Sequence, residues 1–432
     1  MKDYPLIDYT EKYNSIMVFD KNRDVFVHRW YPFVEGYSKE FIEEIIQELP
    51  SPPKCAMEPF CGSGTTPVEL QRHNVKCYSF EVSPFMHLLA KVKLEQTYDE
   101  LTFKYYRNKI ADSLSNPLQD IRTKESVPFG HTVVYKTGMR KWNFHNTSLD
   151  GILDIRHAIR MEIDDERYKK LFTIALASII LQSSNMFRNG KCLSYKKDWE
   201  TRIYSRIDIH KLFLAKLDGV IAEDIKIISS KPTVVNNTNI CYLGDVRKGI
   251  EEVPDNSLDL IITSPPYLNS RDYTDIYMLE LKVLELVNSH EDLRNLRKST
   301  LRSHVQVKYS ELKPIDNSRL EKCLSDMKNS KTKSWNTDIL NMICGYFEDM
   351  ETLFSAFKKK MRVGGVIYLN VANSAYFGVE VPVDYIIGDI AEKNGFCVRE
   401  IRKARDIKAS PQQSKMIGKL RESVLVIDKK IY

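Results

Sequence analysis

The sequence predicts an α/β fold of the doubly wound type, in which helices cover both faces of a mainly parallel sheet. Two observations predict it. A strand, a glycine turn and a helix follow one another over residues 54–72, and the apolar run 257–262 ends in a polar, proline-rich loop. Short apolar runs and segments of helical spacing then alternate to residue 427, the pattern of βαβ units. At 432 residues the chain has room for more than one domain, or for one domain with large insertions.

The first element of this fold is the glycine turn. Residues 54–57, Lys-Cys-Ala-Met, predict a strand, and residues 67–72 predict a helix that begins with proline. Between them Gly62 and Gly64 let the backbone approach a ligand closely, and Glu58 places a carboxylate at the end of the strand. A glycine turn alone is weak support for a ligand, because many doubly wound proteins carry one.

The second strand is predicted over residues 75–80, and it ends at Glu81 before Ser83 and Pro84 open another helix. An acidic residue about twenty positions after the glycine turn suits a ribose diol. Proline stands where the dinucleotide fingerprint would have its third glycine, which disfavours NAD.

The most specific motif is Thr-Ser-Pro-Pro-Tyr, residues 263–267, directly after the apolar strand. Ligands bind at this edge of open α/β sheets, and the two prolines fix the loop and leave its carbonyls free to accept hydrogen bonds. Ser264 and the carbonyl of Pro265 could each accept one proton of an amino group, while Tyr267 offers a flat face for stacking an extruded base. A polar turn with a half-buried tyrosine is the alternative interpretation.

With these two motifs the sequence resembles the DNA amino-methyltransferases of bacterial restriction-modification systems, most closely the cytosine-N4 members. The resemblance covers residues 20–98 and 238–432, and Glu58 stands where that family usually has aspartate. It implies a Rossmann-like, S-adenosylmethionine-dependent methyltransferase with a seven-stranded sheet and large, mainly helical insertions. It also assigns the catalytic loop to Ser264, Pro265, Pro266 and Tyr267.

The resemblance implies a set of cofactor contacts as well. Residues 27–32, together with residues 37–42, resemble the family's segment that helps bind the methionine end of S-adenosylmethionine, although an aromatic staple on the core would fit them equally. Asp245 resembles the acid beside the adenine, or it could cap a helix that begins near Val246. The predicted cofactor-binding residues are His28, Tyr31, Glu58, Phe60, Cys61, Gly62, Ser63, Gly64, Thr65, Thr66, Glu81, Val82, Asp245, Val246 and Thr263.

Two insertions and one further basic stretch are candidates for contact with DNA. Residues 99–237 exceed what a simple crossover needs, predict helices, and lie where some family members carry their target-recognition region. Residues 187–197 interleave aromatic and basic side chains, as a DNA-facing or simply a solvated loop would. Residues 294–333 predict a mobile surface segment within an insertion at about 290–340, and the basic stretch 402–421 carries two glutamines that could read base edges. The predicted DNA-binding residues are Arg188, Lys191, Lys196, Lys197 and Arg271.

The predicted organisation is therefore residues 1–98 and 238–432 as one catalytic domain, interrupted by residues 99–237. A net charge of +6 requires that positive charge be concentrated locally if DNA is held. Eight cysteines without a Cys-x-x-Cys pair argue against a structural metal and indicate a reducing compartment. The chain lacks a membrane-spanning apolar run and a visible signal peptide, so we expect a cytoplasmic protein.

The expected function is methylation of the exocyclic N4 of cytosine in duplex DNA, with a cognate restriction endonuclease as functional partner. Adenine-N6 methylation is the nearest alternative, since that group commonly has Asp or Asn where Ser264 stands here. An RNA guanine-N2 methyltransferase would be expected to carry an N-terminal RNA-binding domain. A binding module without catalysis is disfavoured by the intact Ser264 and Tyr267.

Overall fold

The computed structural model describes residues 2–189, 192–230, 239–308, 314–330, 336, 338–410 and 412–430. Its centre is an eight-stranded sheet. The strands are β1 Leu6–Asp8, β2 Cys55–Glu58, β3 Lys76–Glu81, β4 Met186–Arg188, β5 Leu193–Tyr195, β6 Ile240–Leu243, β7 Leu258–Thr263, β8 Met361–Ala372, β9 Ser374–Tyr376, β10 Val379–Val381, β11 Phe396–Lys408 and β12 Lys419–Lys429. β4 with β5 and β9 with β10 form two small antiparallel pairs outside the sheet.

The sheet order is β1-β11-β12-β8-β7-β2-β3-β6, and every pairing is parallel except the two made by β12. The chain runs outward from β2 through β3 to β6 and then returns to β7 on the other side of β2. This reversal opens a crevice between the carboxyl ends of β2 and β7, where doubly wound sheets bind ligands. The predicted doubly wound fold is confirmed, with β1 added to the edge of the expected seven strands.

Helices flank the sheet and build the insertions. They are α1 Thr10–Tyr13, α2 Lys39–Glu48, α3 Thr65–Arg72, α4 Pro84–Leu94, α5 Glu100–Ser115, α6 Gly130–Val133, α7 Asn146–Glu162, α8 Glu166–Ser183, α9 Arg206–Lys216, α10 Ala222–Ser230, α11 Val246–Gly249, α12 Met278–Val283, α13 His290–Ser299, α14 Ser318–Lys328, α15 Ile339–Lys360, α16 Val383–Lys393 and α17 Ser414–Ile417. Within the described residues, every helix is too short or too polar to cross a membrane.

Alternating side chains along the strands build a core on each face of the sheet. Ala56, Leu260 and Ile262 pack with α2 on one face, whereas Met57 and Ile261 join the core under α15 and α16 on the other. Because successive side chains of a strand point to opposite faces of the sheet, this alternation alone determines which residues enter each core.

The helical insertion, residues 99–237, shares a hydrophobic core with the segment before the glycine turn and with α4 and α12. Its last helix, α10, carries Asp224, which is fully buried. The Asp224 carboxylate accepts hydrogen bonds from the Val27 amide and the Trp30 indole and pairs with the Arg29 guanidinium. The insertion is thus fastened to the N-terminal segment by a buried, fully engaged charge.

Residues 363–365 lie in an irregular start of β8, where Gly364 has a φ of +77° and the register against β7 shifts. The segment 294–333, predicted as a mobile surface segment, contains regular structure. Where the structure describes this segment, it contains the end of α13, the whole of α14 and irregular stretches beside them. Arg297 pairs with Asp272 and Asp275 there. Charge alone could not reveal these internal partners.

The basic stretch 402–421 has both inward-facing and exposed polar side chains. Arg402 pairs with Glu48 and Glu400, and Arg421 with Asp384. Gln413 is buried and its side-chain oxygen accepts a hydrogen bond from the Gly378 amide. These three side chains are engaged inside the protein, whereas Gln412, Lys408, Lys415 and Lys419 are exposed, so the predicted contact with base edges stays a prediction for Gln412.

Candidate active site

A cavity of about 320 Å³ opens at the carboxyl ends of the central strands. Its volume is within the range of small-molecule sites. The sequence motifs meet in its wall. The predicted residues that line it are Phe60, Gly62, Glu81, Val82, Asp245, Val246, Ser264, Pro265, Pro266, Tyr267 and Arg271.

The glycine turn joins β2 to α3 and depends on backbone freedom. Gly62 and Gly64 have φ of +51° and +83°, in the left-handed region that favours glycine. A Cβ on Gly64 would lie 2.9 Å from the Cβ of Ala90 on α4, so glycine also allows this helix to pack against the turn. The remaining motif residues Cys61, Ser63, Thr65 and Thr66 lie in the turn or in α3 but outside the cavity lining.

Glu58, the acid at the end of β2, lies behind the turn. Its side chain is buried, with a relative exposure of 1%. The carboxylate accepts hydrogen bonds from the Tyr37 hydroxyl at 2.6 Å, the Thr66 hydroxyl at 2.9 Å and the Phe60 amide at 3.1 Å. Burial raises the pKa of Glu58 to about 7. The carboxylate is therefore engaged by Tyr37 and by the turn, and neither Glu58 nor the equally buried Thr263 is among the cavity-lining residues.

Glu81, at the end of β3, reaches the cavity. Its two carboxylate oxygens accept hydrogen bonds from the amides of Gly62 and Ser83, both at 2.8 Å. Burial raises the pKa of Glu81 to about 7. Glu81 thus fixes the turn to the next helix and still presents lone pairs to a ligand such as a diol.

Asp245 caps α11, as one of the two sequence interpretations predicts, and its contact with the adenine stays a prediction. It is the N-cap of α11, accepting a hydrogen bond from the Arg247 amide at 2.9 Å, and it pairs with the Arg247 guanidinium. It also lines the cavity together with Val246.

The loop at 264–267 forms the other end of the cavity. The Tyr267 hydroxyl donates to Glu422 at 2.7 Å and accepts a hydrogen bond from the Asn370 side-chain amide at 2.7 Å. The same amide nitrogen lies 3.1 Å from Glu422 Oε1 and 3.4 Å from the Ser264 hydroxyl, and Arg405 pairs with the second oxygen of Glu422. A carboxylate can only accept, so this network fixes the orientation of the Asn370 amide.

The sequence-based reasoning missed Asn370, Arg405 and Glu422, which come from β8, β11 and β12. The sequence did contain an indication of them, because all three are polar residues within or beside apolar strands. A buried polar side chain in such a strand needs partners, and here the partners are in the site.

Two predicted contacts near the N-terminus are wrong. His28 is fully buried, and its Nε2 lies 2.7 Å from the Glu69 carboxylate on α3. The Tyr31 hydroxyl donates to Glu280 at 2.8 Å. The aromatic-staple interpretation fits both side chains. The cavity wall is instead built by the residues that follow, 33–37.

Some of the predicted DNA-binding residues are engaged inside the protein, and others are accessible. Arg188 is nearly buried, pairs with Glu280 at 2.7 Å, and donates to the Ile276 carbonyl, so its placement contradicts a phosphate contact. Lys196 donates to the carbonyls of Gln182 and Ser184 at the end of α8 and is likewise engaged internally. Lys197 is exposed, Arg271 is half-buried in the cavity wall, and Lys191 lies outside the described residues.

Comparison with known proteins gives relatives over nearly the whole chain. The type II methyltransferase M.BsoBI of Geobacillus stearothermophilus is 24% identical over 98% of this chain and 90% of that protein. M.AvaI of Nostoc sp. is 25% identical over 90% and 82%, and M.MvaI of Kocuria varians is 22% identical over 91% and 88%. No family model matches the chain. Among solved structures, the rRNA methyltransferase aviRa of Streptomyces viridochromogenes covers 93% of this chain and 84% of its own at 10% identity, with a TM-score of 0.28, too low to bear on function.

These relatives confirm the predicted similarity to the type II methyltransferases of restriction-modification systems.

Proposed function

We propose that this chain, a relative of the type II methyltransferases, is a site-specific DNA methyltransferase that modifies the N4 of cytosine in duplex DNA. One observation carries the proposal: the loop of Ser264 and Tyr267 shares a single cavity with Glu81 and Asp245. A methyl donor placed by the two acids and an amino group placed by the loop would be neighbours. The same cavity could admit adenine N6, so the choice of base rests on the serine and needs the experiment below.

The donor site is assigned by chemistry. Glu81 suits the ribose hydroxyls, because its oxygens face the cavity while their other lone pairs hold the turn. Asp245 and Val246 flank the position assigned to the adenine. When bound there, S-adenosylmethionine supplies the methyl group.

The acceptor loop would prepare the nitrogen for attack. The lone pair of an exocyclic amine is delocalised into its ring, which makes it a poor nucleophile. The Ser264 hydroxyl and the Pro265 carbonyl would each accept a hydrogen bond from one N–H of the amine. These two bonds would draw the nitrogen toward tetrahedral geometry and free its lone pair. The nitrogen would gain the methyl group as the bond from that methyl to the donor's sulfonium breaks, which leaves a neutral thioether, and it would release one proton to solvent, with no covalent enzyme intermediate.

Tyr267 would hold the extruded base. The target nitrogen sits inside the duplex, so the base must leave the stack at a cost of roughly a few kcal/mol. The Tyr267 hydroxyl is already fixed by Glu422 and Asn370, which leaves the ring oriented before a base arrives. Stacking on this ring would offset part of that cost.

DNA would be held by a basic face on the helical insertion, which we define as Lys136, Arg140, Lys141, Lys197 and Arg202. All five side chains are exposed. They surround an aromatic cluster in which Trp142 and Trp199 lie 4.8 Å apart, and the Lys141 ammonium lies 5.0 Å from the Tyr195 ring centroid. Asp198 and Glu200 are also exposed in this region, and the net charge of these exposed side chains is still positive.

The β4 and β5 hairpin connects this face to the cavity. Met186 pairs with Tyr195 at the aromatic cluster, and two residues further along β4 the Arg188 guanidinium lies 4.6 Å from the Tyr277 ring, which lines the cavity. Two residues of a strand span about 7 Å. A duplex on the basic face would therefore pass close to the loop at 264–267, which supports residues 99–237 as the target-recognition region.

The first test is methyl transfer itself. Unmodified DNA is incubated with tritiated S-adenosylmethionine, digested to nucleosides, and the labelled nucleoside is separated. Label in N4-methylcytosine supports the proposal, and label in N6-methyladenine would replace cytosine with adenine. Label that appears only in a parallel reaction with RNA as the acceptor would overturn the DNA assignment. Protection of the modified DNA against endonuclease extracts of the same cell would identify the proposed restriction partner.

The second test concerns the basic face. Replacing Arg140 and Lys141 with Ala should weaken binding to matched and unmatched DNA by similar factors. It should also lower the salt slope by about 0.9 per lost phosphate contact. Lys226, an exposed lysine on α10 outside the face, serves as the control. If the double variant and Lys226→Ala behave alike, DNA is held elsewhere.

A further inference from the structure

Polar side chains form a row across one end of four neighbouring strands. Ser264 follows β7, Asn370 lies in β8, Glu422 in β12 and Arg405 in β11, and all four line the cavity. The Asn370 amide nitrogen lies 3.4 Å from the Ser264 hydroxyl and 3.1 Å from Glu422 Oε1. The other oxygen of Glu422 pairs with the Arg405 guanidinium. The row therefore leads from the loop at 264–267 to Arg405.

A β-bulge brings Arg405 into this row. Lys403 on β11 lies opposite Ser423 on β12. The next pair is Arg405 with Glu422, which leaves Ala404 as an extra residue without a partner on β12. Without this extra residue, Ala404 and not Arg405 would lie opposite Glu422. Bulges redirect single side chains and are common beside active sites, so the position of Arg405 is a specific feature of this strand pair.

Arg405 keeps hydrogen-bond donors that the protein does not use. Its Nε donates to Glu422, and its two terminal nitrogens donate to no residue that the structure describes. The Arg405 side chain is 25% exposed, whereas that of Glu422 is 1% exposed. A guanidinium carries five N–H donors in a planar fork and stays charged. One side of the fork is therefore held by Glu422, and the remaining donors are available to a ligand in the cavity.

The other end of the row offers acceptors. Asn370 is 2% exposed, and its side-chain oxygen is buried without a hydrogen-bond partner among the described residues. Buried polar atoms in folded proteins usually have a partner, so a donor is expected to come with a ligand. The Ser264 hydroxyl and the Pro265 carbonyl lie at the same end. The row thus presents acceptors beside Ser264 and donors at Arg405.

We propose that Arg405 donates a hydrogen bond to the O2 carbonyl of the extruded cytosine and so selects cytosine over adenine. The proposal rests on the methyltransferase function proposed above and names the residue that reads its base. An extruded base is read on its pairing edge. Cytosine has an amine at one end of that edge and a carbonyl at the other, whereas adenine has the amine but a C–H in place of the carbonyl. A site built to bond a polar group rejects an analogue that lacks it, because its own buried polar groups are then left unpaired.

Glu422 is then a positioning residue for two groups. One of its oxygens accepts the Tyr267 hydroxyl at 2.7 Å, and the other pairs with Arg405. The ring that stacks on the base and the cation that reads its edge are fixed by the same buried carboxylate. Side chains ordered before binding lose less rotamer entropy when the base arrives.

The test removes the hydrogen bond from each side in turn. The target position is mapped by sequencing DNA that the wild type has methylated, and duplexes are made with cytosine or 2-thiocytosine there, because sulfur is a weak acceptor. The wild type should have a kcat/KM about ten- to a hundredfold lower on 2-thiocytosine, the effect of losing a hydrogen bond to a charged group. Arg405→Ala should lose a similar factor on cytosine and should treat the two duplexes alike.

The matched control is Arg399, which pairs with Asp428 across the same two strands but lies outside the cavity. Arg399→Ala should leave both the rate and the preference for cytosine unchanged. Calorimetry with the demethylated product of S-adenosylmethionine should give the same dissociation constant for Arg405→Ala and the wild type, which shows that the variant is folded around an intact donor site. A weaker dissociation constant in Arg405→Ala would place the residue on the donor side and overturn the proposal.

Four further outcomes separate the alternatives. If the wild type treats the two duplexes alike, or if Arg405→Ala prefers cytosine as strongly as the wild type does, Arg405 does not contact the carbonyl and the proposal is wrong. If Arg405→Ala keeps that preference and instead lowers the salt slope on matched and unmatched DNA alike, Arg405 contacts a phosphate, which also overturns the proposal. If the mapped position is an adenine, the base reading is wrong while the methyltransferase function stands. If the wild type transfers no methyl group to DNA, the proposed function itself fails, and this inference with it.

Discussion

Replacing Tyr267 with Phe separates the two tasks that the structure gives this side chain. The ring would remain for stacking, whereas the hydroxyl that donates to Glu422 and accepts from Asn370 would be lost. Glu422 would keep Asn370 and Arg405 as donors, so no charge is left unpaired. The expected cost is that of one hydrogen bond to a charged group, about 1.5–3 kcal/mol.

Two assays read this variant. With an unfolding entropy of about 2.1 cal/mol/K per residue, the cost corresponds to a lower melting temperature by about 2–3 °C. A duplex with a fluorescent base at the target position should still show base extrusion by Tyr267→Phe. Tyr267→Ala should weaken the extruded complex by about 1–3 kcal/mol, because the stacking surface is gone.

The outcome that refutes the reasoning is equal loss of base extrusion in the two variants, since the hydroxyl and not the ring would then hold the base. A double-mutant cycle with Glu422→Gln isolates the bond between the two side chains. A coupling energy near zero would mean that the hydrogen bond does not order the ring.

Three further variants test the site. Ser264→Ala should lower turnover by about 10²–10³ while the dissociation constant of S-adenosylmethionine stays unchanged, measured by single turnover and calorimetry; unaltered turnover would exclude the serine from the reaction. Glu81→Ala should weaken S-adenosylmethionine and its demethylated product alike, since both carry the ribose, and full affinity by calorimetry would contradict the ribose assignment. Burial raises the pKa of Glu58 to about 7 from an ordinary value near 4.5, so the folded state binds its proton more tightly and this contribution to stability falls as pH rises from about 4.5 to 7. Glu58→Gln should flatten that part of the profile of melting temperature against pH, and an unchanged profile would show that Glu58 does not titrate there.

The sequence predicted the elements whose local signals agree with one another. The glycine turn, the strand before Thr263 and the loop of Ser264 each combine a strand pattern with a required residue type, and the structure brings them into one cavity. Side chains that act through distant partners could not be placed in this way. Arg188 lies in a stretch whose basic and aromatic residues are typical of a DNA-contacting loop. Its ion-pair partner Glu280, however, lies 92 residues away in the chain.

The segment before the glycine turn shows the same limit at short range. It was predicted to reach the cofactor, and it does line the cavity, but through Glu35 and its neighbours and not through His28 and Tyr31. Residues 28–30 form a single 3₁₀ turn, which lacks the periodicity that would have indicated the inward face. In this segment, packing against α3 determines which side chains are buried in the core and which face the cavity.

The buried Asp224 has a consequence for how such proteins acquire new target sequences. Exchanging residues 99–237 for the equivalent segment of a relative would remove the acceptor of the Val27 amide, the Trp30 indole and the Arg29 guanidinium, unless the incoming segment carried an acid at the same point. Three donors stranded in the interior would destabilise the hybrid. Changes of specificity are therefore expected to arise by substitution in the exposed loops around the basic face, with the helices beneath them inherited unchanged.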